Sequence, residues 1–325
     1  MARHLVTGAT GLIGSEIAAQ LRREGHEVVA LVRPSTSAAD IQALGVSVVR
    51  GDLIDPASVD AAVAGCDGVF HSAALVSSAT LTMEAAEAVN VQGTLTLLDA
   101  ARRAGVRRVV AIGTGAAFDG STTLTERSNV VPADTPDPYA ASKRGAFLAT
   151  MSRFEQGQDV VVVLPGGTYG PCPVGKRSIE SFGMNQRLVR ALRGEPAEYL
   201  PARMPWSCTI DVAGVSIAAF ERGIAGHRYL GLGAPDCDLT AAQFVNVALE
   251  LAGLSHRVTE VPADRLNDLE LLSRFVPTVV ERAKTPSPVP SFDASVTSQE
   301  LGYTFVPTIE RIRTTVQWMQ SSDLV

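Results

Sequence analysis

The sequence predicts an α/β fold: a doubly wound parallel sheet followed by a smaller, mostly helical C-terminal lobe. Two observations carry this prediction. A short apolar run, Leu5-Val6, leads into Thr7-Gly8-Ala9-Thr10-Gly11-Leu12-Ile13-Gly14 and then into helix-spaced apolar residues at Ile13, Ile17, Ala18 and Leu21. Strand-length apolar runs then alternate with helical patterns through the first half of the chain. A β-α-β-α order of this kind implies parallel strands joined by right-handed crossovers. At 325 residues, 46% hydrophobic and 19% charged, the chain is long enough to bury the core such a sheet requires.

The first strand runs directly into the glycine loop. Gly8 allows the turn, Gly11 a close approach of the backbone, and Gly14 tight packing of helix on strand. Backbone amides and the helix dipole at that N-terminus suit a pyrophosphate. Gly8, Thr10, Gly11, Leu12, Ile13 and Gly14 are therefore the first candidate cofactor-binding residues. The second strand, Val28-Val29-Ala30-Leu31-Val32, is apolar throughout, as expected when both faces are covered. It ends in Arg33-Pro34-Ser35, without the acid that a site choosing NAD carries roughly 20 residues past the glycines. A guanidinium at Arg33 suits a 2′-phosphate, which points to NADP, with NAD as the alternative. A third strand at 46–49 leads to Gly51-Asp52-Leu53, where the Asp52 carboxylate can meet an adenine amino group or simply form a turn. A helix at 56–64, a strand at 68–71, one long helix at 83–104 and strands at 109–112 and 160–164 complete the pattern.

Tyr139-Ala140-Ala141-Ser142-Lys143 is the second strong signal. Residues four apart share one face of a helix, and Pro136 and Pro138 mark where that helix starts. A phenol has an unperturbed pKa near 10, too high for easy proton exchange at neutral pH. A lysine ammonium about 4 Å away would attract the phenolate by roughly 4 kcal/mol at an effective dielectric near 20. That is enough to lower the pKa and let the tyrosine act as acid or base on a carbonyl or alcohol.

Past Pro165 the strand signal weakens. Residues 165–207 are richer in Gly, Pro and Arg, 284–292 reads as a loop, and helices are expected at 241–253 and 309–319. The expected division is a dinucleotide-binding domain at 1–170, with 208–232 returning to it, and a substrate lobe at 171–207 and 233–325. Trp206 and Phe182 fall in that lobe as pocket-lining or core residues. Cys66, Cys172, Cys208 and Cys237 have no zinc spacing and read as buried reduced thiols. His4, His26, His71, His227 and His256 form no ligand set, so each reads as structural or solvent-facing and no metal is expected. The net charge of −6 and the lack of a basic block argue against a nucleic-acid surface. No apolar run reaches the roughly 18 residues of a membrane span, and the first strand leaves no room for a signal peptide. A cytoplasmic location is the expectation.

The sequence resembles the extended short-chain dehydrogenase/reductase family over nearly its whole length. The resemblance rests on the glycine loop, Gly51-Asp52-Leu53, Phe70-His71-Ser72-Ala73-Ala74, Val89-Asn90-Val91-Gln92-Gly93-Thr94, Pro138-Tyr139-Ala140-Ala141-Ser142-Lys143, Pro165-Gly166-Gly167-Thr168-Tyr169-Gly170-Pro171, Ile210-Asp211-Val212-Ala213 and Leu301-Gly302-Tyr303. Within the family, Arg33-Pro34-Ser35 looks like the dihydroflavonol-reductase-like branch. The resemblance implies a Rossmann-type domain in which Tyr139 is the acid/base and Lys143 holds the nicotinamide ribose and lowers the Tyr139 pKa. Leu53, Ala73 and Pro165 would border the cofactor, and Asn90 would brace the site. Two departures stand out. The family places a Ser or Thr after the fifth strand, where this chain has Gly115 with Thr114 one residue earlier, and Leu164 replaces an arginine before Pro165. Adjacent strand residues face opposite ways, so Thr114 reaches the site only if the chain turns early, which Gly113 and Gly115 would permit. The functions implied are an NADP-dependent reductase of a small carbonyl compound, a nucleotide-sugar epimerase or dehydratase, or a nucleotide-binding member without turnover. Small carbonyl or sugar substrates are the expected partners, and a homodimer is compatible with the resemblance.

Overall fold

The computed structural model describes residues 1–78, 80–119, 123–180, 183–275, 277–285 and 291–325. Phe182 and most of the 284–292 loop therefore lie outside the described residues. Seven strands form the central sheet: β1 (Arg3–Thr7), β2 (Glu27–Val32), β3 (Ser47–Arg50), β4 (Gly68–His71), β5 (Arg108–Ile112), β6 (Val160–Leu164) and, after three lobe strands, β10 (Arg228–Leu230). Their order is β10-β6-β5-β4-β1-β2-β3, and every neighbouring pair is parallel. The order reverses at β1, which β2 and β4 flank. In open sheets of this kind that switch point is where ligands bind, outside the carboxyl ends of the strands.

Helices cover both faces: α1 (Leu12–Arg23), α2 (Ala39–Ala43), α3 (Pro56–Val63), α4 (Met83–Ala86), α5 (Gly93–Arg103), α6 (Pro138–Glu155) and α8 (Thr209–Arg222), whereas α7 (Met184–Leu192) packs in the lobe. Alternation along β1 shows why the strands are apolar throughout. Leu5 packs with Val59, Leu97 and Leu98 of α3 and α5, whereas Val6 packs with Ile17, Leu21 and Val215 of α1 and α8.

The expected single helix at 83–104 is instead interrupted. Between α4 and α5, residues Glu87–Gln92 form a π-helical turn. Within it the buried Asn90 side chain accepts from Leu75 N–H at 2.7 Å and donates to Leu75 O at 3.0 Å, and the Thr94 hydroxyl donates to the Asn90 carbonyl at 2.6 Å. These side-chain bonds compete with the regular helical ladder, and apolar spacing alone does not register them.

The remaining strands, β7 (Gly167–Tyr169), β8 (Glu198–Tyr199), β9 (Arg203–Cys208), β11 (Asp238–Thr240) and β12 (Thr259–Glu260), form a three-stranded sheet β11-β9-β7 and a β12-β8 pair. The lobe thus carries small sheets besides its helices α9 (Ala241–Leu251), α10 (Leu269–Leu272), α11 (Pro277–Lys284), α12 (Ser295–Leu301) and α13 (Thr308–Ser321). Tyr169, Met184, Leu188, Trp206, Phe244 and Met319 share its core. Trp206 is a core residue: its Nε1 donates to Leu239 O at 2.9 Å and its ring lies beside Phe244. All four cysteines are buried free thiols.

Candidate active site

The parallel sheet puts every strand's carboxyl end on one edge, and the candidate residues gather there. Gly8–Gly14 follow β1, Arg33 follows β2, Asp52 and Leu53 follow β3, Ala73 follows β4, Thr114 follows β5 and Pro165 follows β6. Strand order then divides them. Arg33 and Asp52 lie to one side of the glycine loop; Ala73, Thr114 and Pro165 lie to the other, beside α6 with Tyr139 and Lys143.

The glycine loop fits a phosphate group. Gly8 has φ +70°, and a Cβ there would stand 2.7 Å from the Ala73 backbone nitrogen. A Cβ on Gly14 would come within 2.4 Å of Gly8 O, so the helix can start this close to the loop only with glycine. At Gly11, by contrast, a Cβ would meet only Gly8 O, at 3.3 Å. Helix α1 starts at Gly11 with no side-chain cap and no acid in its first turn. Its first amides are the donors an anion would use. Leu12 and Ile13 provide two of them, with Thr10 partly buried just before.

Helix α6 is set in place by its cap. Asp137 accepts from Tyr139 N–H at 3.1 Å and from Ala140 N–H at 3.3 Å, and Pro138 occupies the first turn, where no donor is needed. Tyr139 and Lys143 then follow one turn apart. Lys143 is buried, and its Nζ donates to the Ile112 carbonyl at 2.8 Å. Among the described residues no carboxylate ion-pairs with it. Burial without a counter-charge lowers its pKa to about 8.

Tyr139 corrects one expectation. Its pKa is raised, not lowered, chiefly because burial disfavours the phenolate, with the Asp137 carboxylate adding to the effect. The Thr114 side chain beside the phenol acts in the opposite direction. Lys143 is not among the groups that shift it, because its ammonium is turned to Ile112 O. The chain leaves β5 at Ile112 and enters a 3-10 turn at Gly115–Ala117, with Thr114 as its N-cap. Thr114 is extended (φ −162°, ψ 147°), and Gly115 N–H still bonds to Pro165 O at 3.0 Å. The Thr114 side chain meets Tyr139, while its oxygen also accepts from Ala116 N–H at 3.3 Å. A Cβ at Gly115 would meet Leu124 Cδ2 at 3.1 Å.

Behind these residues runs a polar chain that pattern reading missed. His71 is register partner to Thr7 across β4 and β1, and its Nδ1 lies 2.8 Å from Thr7 Oγ1. Its Nε2 lies 2.9 Å from Thr94 Oγ1. Because the Thr94 hydroxyl is donated to Asn90 O, that oxygen can only accept from His71. Nε2 therefore carries the proton, and Nδ1 accepts from Thr7, whose oxygen in turn accepts from Ala73 N–H at 3.3 Å. Burial, helped by the Lys143 charge, lowers the His71 pKa to about 3, so the ring is neutral. The chain continues from Asn90 Nδ2 to Ser142 Oγ at 2.9 Å and from Ser142 to Tyr139 O at 3.0 Å. A cavity of about 20 Å³, room for one water, adjoins His71, Asn90 and Lys143. A larger hollow of about 330 Å³ lies at the opposite edge among His4, His26 and Phe220, and no candidate site residue lines it.

At the carboxyl ends of β2 and β3, Asp52 Oδ1 accepts from Ile54 N–H at 3.3 Å, Leu53 is buried against Gly93, and Arg33 is exposed. No helix among the described residues is long and apolar enough to cross a membrane.

Residues 4–230 match the family model described as the NAD dependent epimerase/dehydratase family. The chain is 32% identical over 266 residues to a Stigmatella aurantiaca 4-hydroxy-2-methyl-3-oxo-4-farnesyl-3,4-dihydroquinoline-1-oxide ketoreductase, covering 80% of this chain and 76% of that one. It is 27% identical to sterol demethylase protein B of Methylococcus capsulatus, across 99% of both chains. Among solved structures, DesIV, a dTDP-glucose 4,6-dehydratase from Streptomyces venezuelae with NAD and TYD bound, superposes with a TM-score of 0.75 at 26% identity, over 98% of this chain and 97% of that one.

Proposed function

The chain belongs to the NAD dependent epimerase/dehydratase family, and from that premise we propose that it is an NADP-dependent reductase of a ketone or aldehyde group in a small organic substrate. The observation that carries this reading is the pairing of Tyr139 with Thr114 at the carboxyl edge of the sheet, one helical turn from Lys143. A carbonyl oxygen between the two hydroxyls would meet two donors. Tyr139, neutral and with a raised pKa, would give it a proton, and Thr114 would hold the developing charge. Bound NADPH supplies the hydride that such a reduction needs. The capless start of α1 would hold its pyrophosphate, Asp52 and Leu53 would border its adenine, and Ala73, Pro165 and Lys143 would border its nicotinamide ribose. Residues 171–207 and 233–325 would contribute the substrate-facing surface. The ketoreductase relative supports reduction over epimerisation.

A screen of carbonyl compounds that follows NADPH absorbance tests the proposal, because a reductase consumes one NADPH per turnover. An epimerase would convert substrate with no net change in dinucleotide, and that result would overturn the reading. Tyr139→Phe is expected to keep its fold and its NADPH affinity while losing about 10²- to 10⁴-fold in turnover. Near-full activity in this variant would remove Tyr139 from its role.

A further inference from the structure

Arg50 closes β3, and its register partner is Val32, the residue just before Arg33. Its Nη1 donates to the carbonyls of Arg33, at 3.1 Å, and of Thr36, at 2.6 Å. Those two residues are the ends of the turn Arg33-Pro34-Ser35-Thr36, which the Thr36 N–H to Arg33 O bond closes at 3.0 Å. Pro34 occupies the second position of that turn, where its fixed φ is favoured. One nitrogen of Arg50 thus spans the mouth of the turn, while its Nε and Nη2 make no hydrogen bond among the described residues.

The two arginines differ in what binding would cost them. Arg33 is exposed, and its guanidinium makes no hydrogen bond or ion pair with a described residue, so it gives up most of its side-chain freedom only when a ligand arrives. Arg50 has already given up much of that freedom to hold the turn and still has a two-nitrogen edge to offer. A planar fork held in advance suits a phosphate better than a mobile point charge. Neither arginine ion-pairs with a carboxylate among the described residues. Asp52, the nearest acid along the chain, is engaged with Ile54 N–H.

We propose that Arg50 is a specificity-determining residue for NADP(H): it fixes the Arg33–Thr36 turn and presents its Nε–Nη2 edge to the 2′-phosphate, which Arg33 closes over. This rests on the NADP reading above, and the experiment separates the two. Calorimetric titrations compare NADPH with NADH, and adenosine 2′,5′-bisphosphate with adenosine 5′-monophosphate, on the unmodified protein, Arg50→Ala and Arg50→Lys. Arg50→Ala is expected to weaken NADPH and the bisphosphate roughly ten- to a hundredfold while leaving NADH and the monophosphate within about twofold. Arg50→Lys keeps the charge but cannot both span two carbonyls and present a fork, so it should recover only part of the loss. No loss in Arg50→Ala, an equal loss for both cofactors, or full recovery by lysine would each overturn the assignment while leaving the NADP reading intact. Equal affinity of the unmodified protein for NADPH and NADH would overturn the NADP reading itself, and the role of Arg50 with it.

Discussion

Two buried polar clusters in this protein handle charge in opposite ways. Beneath the candidate active site, Thr7, His71, Thr94, Asn90 and Ser142 form a neutral hydrogen-bonded chain, and Lys143 is buried beside it with only a carbonyl as partner. At the junction of α8 with α13, buried Asp211 receives the Arg311 guanidinium on both oxygens, with Nε 2.9 Å from Oδ2, and the Tyr303 hydroxyl at 2.9 Å. A Cβ on Gly214 would stand 2.7 Å from that Tyr303 oxygen, so α8 is shaped to admit the contact. The clasp is charge-balanced and ties the C-terminal helix to the helix that packs on α1. The cluster at the candidate site leaves a cation unbalanced. Of the two buried charges, the one at the helix junction is neutralised and the one in the candidate site has no counter-charge.

If the contrast is right, breaking the clasp should be the costlier change for stability. Asp211→Ala leaves the Arg311 guanidinium half-buried without its partner, and about 3–5 kcal/mol of unfolding free energy should be lost in urea melts. A loss under about 1 kcal/mol would mean the pair behaves like an exposed surface bridge, and the comparison would fail.

Acid should probe the neutral cluster. The folded His71 pKa is about 3 and that of His4 about 4, both below the ordinary histidine value of 6.5. Between those values and pH 6.5 the unfolded chain takes up protons that the folded chain refuses. Stability is therefore full above about pH 6.5 and falls as pH drops toward 4, by up to about 1.4 kcal/mol per pH unit for each histidine. His4 makes no ring hydrogen bond among the described residues and sits against Phe70 and Phe220, so His4→Phe should remove its share of the slope at little other cost. Melts that stay level from pH 7 to 4.5 would contradict this account.

The smallest effect has the opposite sign. Lys143→Met removes an uncompensated ammonium and should raise unfolding free energy at pH 7 by about 1–2 kcal/mol while abolishing turnover. In the unmodified protein the Lys143 pKa is about 8 against 10.5 unfolded. Its penalty is therefore full below pH 8, and it is relieved as pH rises from 8 to 10.5, where the unfolded chain holds the extra proton. The Met variant should lack that alkaline gain. A Met variant less stable than the parent would show that the lysine supports the fold.

The parts of this protein that could be read in advance are those governed by neighbours in sequence. Gly8, Gly11 and Gly14 answer to one turn and one helix start, and Tyr139 and Lys143 to a single helical turn, so spacing alone exposes them. Fully apolar runs likewise announce strands covered on both faces. What only the tertiary structure decided is where polar groups find partners far along the chain. Arg50 reaches back to the Arg33 turn, His71 pairs with Thr7 across two strands, Arg311 finds Asp211, and Lys143 turns to the Ile112 carbonyl. Each contact is set by strand register or helix docking, which local pattern does not encode. The Phe70-His71-Ser72-Ala73-Ala74 stretch carried His71 in plain view, yet its role depends on which strand lies beside it. The direction of the Tyr139 pKa shift came from the same source, because burial and the aim of the Lys143 amine, not the four-residue spacing, determine the field at the phenol.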